Sequence, residues 1–162
     1  MHRGLATLAV VAVFAVVVPV AGSAPPAGLF KSGYDKCKVA GLAAVAKAAG
    51  VKLAKGKFSG KQCIWSTADG RASIVFDTHP TGYMEYLVPK PGKEANGDVT
   101  RKISVPGATK ALLDTHSFAL TGRHVKDLFA QYAPGVVQVS LNYAGPLSDA
   151  RCVAVLRLLT HT

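Results

Sequence analysis

The stretch from Lys61 to His79 constrains this chain more than any other. It carries the only tryptophan, Trp65, with Cys63 two positions earlier and Asp69-Gly70 between two apolar runs. An Asp-Gly pair readily supplies the positive φ angles of a tight turn, so the stretch reads as a β-hairpin. Residues two apart on a strand share a face, which puts Cys63 and Trp65 on the same side. Trp65 is the largest apolar surface in the chain, and the core is expected to close over it.

The beginning of the chain has another character. Met1 to Gly4 is weakly basic, Leu5 to Val20 is an apolar run, and small residues follow at Ala21 to Ala24. That order is a secretory signal peptide, read here as residues 1–24. The competing reading, an uncleaved anchor, rests on a run approaching the ~20 residues that span a bilayer. Pro19 near its end fits a cleavage region better. Residues 25–34 then read as a flexible lead-in, and 35–162 as a single domain. No cysteine lies close behind the apolar run to accept a lipid, so the product is expected to be extracellular, released or held non-covalently.

A helix is expected from about Asp35 to Ala49, with Val39, Leu42, Ala43 and Ala46 as its buried stripe and Gly50 as its C-terminal cap. Val51 to Lys61 reads as an exposed loop or weak edge strand. Strands are expected at Tyr83 to Val88, Val99 to Val105, Ala111 to Phe118, Lys126 to Tyr132 and Val136 to Tyr143. In Lys126 to Tyr132, Leu128, Phe129 and Tyr132 also suit a helical face, but the Pro134-Gly135 corner between two apolar runs favours a hairpin and hence the strand. A closing helix follows Ser148 as N-cap, with Asp149 set favourably against the dipole. Its buried stripe is Cys152, Val155, Leu156 and Leu159. The sum is an α+β fold: about six or seven antiparallel strands flanked by an N-terminal and a C-terminal helix, like an α/β/α sandwich.

Three cysteines leave one without an internal partner, and outside the cytoplasm any of three pairings could persist as a disulfide. Cys152, on an apolar helical stripe, reads as a buried inert thiol. Several features align with a known family: a cysteine ahead of an Ala/Leu-rich helix, Cys63-Ile64-Trp65 opening a hairpin, Val105-Pro106-Gly107-Ala108-Thr109-Lys110-Ala111, and a closing helix. The chain resembles, over roughly Cys37 to Leu159, the domain of unknown function of actinobacterial secreted lipoproteins with a PsbP-like sandwich. The resemblance implies a Cys37–Cys63 disulfide, closing a loop of about 26 residues worth ~3 kcal/mol. The family's lipid-attachment cysteine is missing here, and no catalytic residues come with the family.

Charge supplies the main functional signal. The sequence has 19 Lys and Arg against 9 Asp and Glu, and only Arg3 of these lies in the leader. Such an excess favours anionic surroundings, and in an exported protein these are cell-wall polymers or a membrane surface. Lys47, Lys52, Lys55, Lys57 and Lys61 form the densest positive run, with no acidic residue among them. The bland reading of that run is a solvated edge that discourages strand pairing. The repeated tripeptides Asp77-Thr78-His79 and Asp114-Thr115-His116 would each present a carboxylate and an imidazole on one strand face. On neighbouring strands they could form a metal site, and otherwise they are ordinary polar strand ends. No Gly-x-Ser-x-Gly elbow, His-Glu-x-x-His helix or phosphate-gripping glycine loop is present. The aromatics suit sheet packing rather than nucleic-acid stacking. The resulting expectation is a non-catalytic binding module without cofactor or metal, directed at an anionic surface through the lysines or at an envelope protein through the sheet face, with a metal-dependent or cysteine-based enzyme as the third and weakest reading.

Overall fold

The hairpin expected at 61–79 forms, and its register fixes the core. In the computed structural model, which describes residues 25–26, 28–118, 121–145 and 147–161, β2 (Gln62–Ser66) pairs antiparallel with β3 (Ala72–His79). The leader read at residues 1–24 lies outside the described residues. Trp65 stands opposite Ile74 and Cys63 opposite Phe76, and all four are buried. At the turn only Gly70 takes a positive φ, of 67°. The Asp69 carboxylate does the rest, accepting from Thr67 Oγ1 at 2.6 Å and from the Arg71 amide at 3.0 Å.

The remaining strands are β1 (Lys57–Ser59), β4 (Gly92–Lys93), β5 (Val99–Lys102), β6 (Lys110–Phe118), β7 (Arg123–Tyr132) and β8 (Gly135–Ala144). They complete one antiparallel sheet of eight strands in the order β1-β2-β3-β8-β7-β6-β5-β4, against about six or seven expected. The added strands are short edge pieces: β1 falls in the segment read as a loop or weak edge strand, and β4 in a stretch read as a polar loop. The chain thus makes two meanders, and the long β8 returns to the centre beside β3.

Two helices lie on one face. α1 (Leu42–Ala49) and α3 (Asp149–Thr160) pack against each other there, and the Tyr143 hydroxyl of β8 reaches the Ala49 carbonyl at 3.4 Å. The α3 stripe falls as expected, with Cys152, Val155, Leu156 and Leu159 buried. Ser148 sits at the N-cap in extended geometry, but its side chain makes no cap bond. The N-terminal helix is shorter than expected. Gly41 is extended (φ −65°, ψ 139°), so α1 starts only at Leu42, behind a separate 3₁₀ turn at Lys36–Lys38 capped by Asp35. Its buried residues are therefore Val45 and Ala49, while Ala43 is exposed.

Among the described residues the opposite face carries only α2 (Tyr83–Tyr86), so the sandwich expected from the sequence is lopsided. The strand expected at Tyr83 to Val88 is absent. Gly82, at φ 87°, turns the chain into a helical segment that buries Met84 and Val88, four apart, against Leu112, Phe129 and Val136. The lead-in expected at 25–34 also joins the fold, since Leu29 is fully buried in the main core.

Cys37 and Cys63 form a disulfide with a Cα–Cα distance of 5.1 Å. It ties the 3₁₀ turn to β2. The free Cys152 is buried, and burial pushes its thiol up to about 11, so it stays protonated and inert at neutral pH. Gly56 completes this corner, because a Cβ there would meet Trp65 Nε1 at 2.5 Å and Cys63 Sγ at 2.9 Å. Gly56→Ala is expected to lower unfolding free energy by ~1–3 kcal/mol through overpacking, read by urea melts. Breaking the crosslink with a Cys37→Ser/Cys63→Ser pair is expected to cost ~3 kcal/mol in the same assay.

Candidate functional site

The five lysines singled out from the sequence are spread from α1 to the edge strand β1 and the turn after it. Lys47 stands on α1, Lys52 and Lys55 on the connection, Lys57 on β1, and Lys61 in the β1–β2 turn. All five are exposed. Among the described residues the ion pairs of lysine and arginine are Lys38–Asp35, Arg71–Asp69, Arg101–Asp149 and Lys126–Asp149, so none of the five is paired. They do not converge on one point. Lys52 borders a groove of about 660 Å³ beside Leu53 and Thr67, whereas Lys61 borders a cavity of about 280 Å³ at the other end of β2. At ~3.3 Å per residue, Thr67 and Lys61 are ~20 Å apart, well beyond the ~8 Å screening length of physiological salt. The lysines make a stripe.

The cavity at Lys61 is built from three separate pieces of chain. Its walls are the segment Phe30 to Gly33 with Lys36, the Gly60-Lys61 turn, and the end of β3 from Asp77 to Pro80. Leu29 anchors the first wall in the core, and the Phe30 ring lies where a Cβ on Gly135 would come within 2.6 Å. Lys36 is only 4% exposed. Burial lowers its pKa, and the nearby Asp77 charge acts in the opposite direction. Lys31 and Lys36 were not singled out in the sequence, because nothing in a Phe-Lys-Ser-Gly-Tyr-Asp-Lys run marks one lysine for burial.

From this cavity a polar network crosses the face of the sheet away from α1 and α3. The Gln138 amide donates to Asp127 Oδ1 at 3.2 Å and to Ser140 Oγ at 3.0 Å, and Ser140 in turn donates to Asp127. The Gln138 carbonyl oxygen is therefore turned to His79, which donates from Nε2 at 2.7 Å. His79 is also stacked on Tyr83, with ring centroids 3.7 Å apart and planes 8° from parallel. Further along, Asp114 and Asp127 stand directly opposite each other on β6 and β7, an arrangement of like charges that is unfavourable by itself. His116 relieves it. Its Nε2 lies 3.0 Å from Asp114 Oδ2 and 3.7 Å from Asp127 Oδ2, while Nδ1 meets Asp98 Oδ2 at 2.7 Å. Thr100 Oγ1 donates to the other Asp114 oxygen at 2.9 Å.

No family model, curated protein or solved structure matches the chain.

The two Asp-Thr-His copies thus share a sheet face but not a neighbourhood. They lie on β3 and β6 with β8 and β7 between them, joined through Gln138 and Asp127. Among the described residues no group of three or more His, Cys, Asp or Glu is arranged to hold a metal ion. The neighbouring-strand metal reading fails on topology. What the arrangement offers chemically is fixed charge and hydrogen bonding.

Burial opposes the charged form of His116, but the Asp98 hydrogen bond and the charges of Asp114, Asp98 and Asp127 outweigh it and hold its pKa above the ordinary value. Its contribution to stability is full below the ordinary histidine pKa of ~6.5 and fades as pH rises through the higher folded value. Asp98 is shifted the other way, chiefly by the His116 hydrogen bond, so the pair weakens again in acid. Urea melts from about pH 5 to about pH 9 are expected to show wild type losing stability relative to His116→Gln as pH rises. A gap constant across that range would contradict this account.

Proposed function

We propose that the chain is a secreted, non-catalytic binding module of the cell envelope that contacts an anionic polymer or membrane surface along the β1 edge. The observation that carries this reading is the stripe of five exposed lysines without a described carboxylate partner. A stripe of ~20 Å suits repeated anionic units better than one small ion, because charges this far apart are screened from one another. Each lysine near an anionic surface is worth ~1 kcal/mol at physiological salt, so the stripe can supply a binding energy of ~5 kcal/mol. That is modest and strongly salt-dependent.

Two further features support binding rather than turnover. The one free thiol is buried and protonated, and Ser140 is engaged with Gln138 and Asp127. Among the described residues no helix is long and apolar enough to cross a membrane, so the described domain would meet a surface from outside the bilayer. A second reading, docking to an envelope protein, is favoured by Tyr86 and Leu87, adjacent on and after α2 and 84% and 68% exposed.

The test is co-sedimentation with purified cell envelope across a salt series from about 50 mM to about 500 mM, beside a variant with the five lysines changed to Glu. The expected result is binding that falls at least tenfold across the series and is lost in the variant. Binding indifferent to both would overturn the electrostatic reading and direct attention to Tyr86 and Leu87.

A further inference from the structure

We propose that the cavity at the end of β3 is a binding site for a phosphate group, with Lys36 as its buried cation and Lys31 and Lys61 as its exposed ones. This deepens the anionic-ligand reading above and rests on it for the class of partner. The decisive feature is Lys36. It lines the cavity, is 4% exposed, and among the described residues its ammonium has no hydrogen-bond or ion-pair partner. Asp77 acts on it through space but not at ion-pair distance. The Lys36 stem is buried, while its ammonium, without a close partner, opens to the cavity.

Charge selects the ligand. Lys31, Lys36 and Lys61 face the single carboxylate Asp77, leaving an excess of two positive charges around the opening. A phosphate monoester carries about −1.5 to −2 at neutral pH and offers three strong acceptor oxygens, enough to meet three ammonium donors. A lone carboxylate matches neither the charge nor the number of donors. The volume of about 280 Å³ equals that of about nine waters at ~30 Å³ each, which accommodates a phosphate and the first atoms of whatever bears it. At two corners, Gly33 and Gly60, with φ of 77° and 62°, bring no side chain into the approach. His79, fixed by Gln138 and Tyr83, forms a rigid wall.

The phosphate can be free or the headgroup of a lipid, and the experiment separates the two. Thermal melts of the purified protein at constant ionic strength are followed with increasing inorganic phosphate, alongside flotation with vesicles containing phosphatidic acid. The expected result is a saturable rise in Tm with phosphate, at least tenfold weaker in Lys36→Met and unchanged in Lys93→Ala/Lys102→Ala, two exposed lysines at the opposite edge of the sheet. Lys36→Met keeps the apolar stem and removes only the charge. A response confined to vesicles, and lost in Lys36→Met, assigns the site to a lipid headgroup and supports the proposal equally. No saturable response to either probe, or one indifferent to Lys36→Met, overturns it. Should Lys36→Met fail to fold by circular dichroism, Lys31→Ala/Lys61→Ala carries the same test. Salt-sensitive envelope binding that persists without any phosphate response would sink the cavity while leaving the lysine stripe standing.

Discussion

β8 runs through the middle of the sheet with Val137, Val139, Leu141 and Tyr143 turned toward α1 and α3, and with Gln138, Ser140 and Asn142 turned away. Its two-residue alternation determines both halves of the molecule. On one side the aliphatic row meets Leu128, Leu113, Ile74 and the α3 stripe, forming the main core. On the other, Ser140 stands opposite Asp127 of β7 and Gln138 opposite Asp77 of β3, with the Gln138 amide reaching diagonally to Asp127. A slip of one residue would exchange the faces, burying Gln138 and Ser140 beneath the helices and turning Val137, Val139, Leu141 and Tyr143 away from them. The core and the polar network are therefore specified by the same register.

The attachment of α3 shows how charge supports that packing without determining it. Asp149, in the first turn, is held by both Lys126 of β7 and Arg101 of β5. A carboxylate at a helix N-terminus is favourable against the dipole by itself, and the two cations orient it toward the sheet. Burial lowers the Lys126 pKa, so this lysine, unlike those on the β1 edge, is committed to the fold. Lys126 and Arg101 are thus structural, sharing one carboxylate, whereas the lysines near the β1 edge have none among the described residues.

Where periodicity was long and interrupted by clear turns, the sequence was readable. The Trp65 hairpin, β6, β8 and the α3 stripe all came from such segments, whereas β7, whose apolar residues fit helix and strand alike, was decided by the Pro134-Gly135 corner. The errors cluster where eight residues or fewer must decide between two periods. Tyr83 to Val88 contains apolar residues at both strand and helix spacing, and the choice fell to Gly82 in the preceding turn and to the open patch formed by Leu112, Phe129 and Val136. Similarly, an Ala-rich run has no large side chain to fix its rotation, so the α1 stripe moved to Val45 and Ala49 once Gly41 broke the helix. The lysine stripe was legible as composition. The cavity was not, because its walls come from residues about 30, 60 and 80, and only the disulfide hints that the first two meet.

That disulfide also explains how a lysine can be buried at the cavity. Lys36 precedes Cys37 directly, and the Cys37 amide is further held by the Asp35 carboxylate at 3.0 Å. A loop without these restraints would swing outward and expose the lysine stem, since a short 3₁₀ turn has little helical stability of its own. The crosslink, worth ~3 kcal/mol in chain entropy, opposes that escape. Local rules broken at one point and compensated next to it are characteristic of sites kept for a purpose beyond folding. Lys36 breaks the rule that charges go to the surface, and the strongest restraint in the molecule sits one residue away.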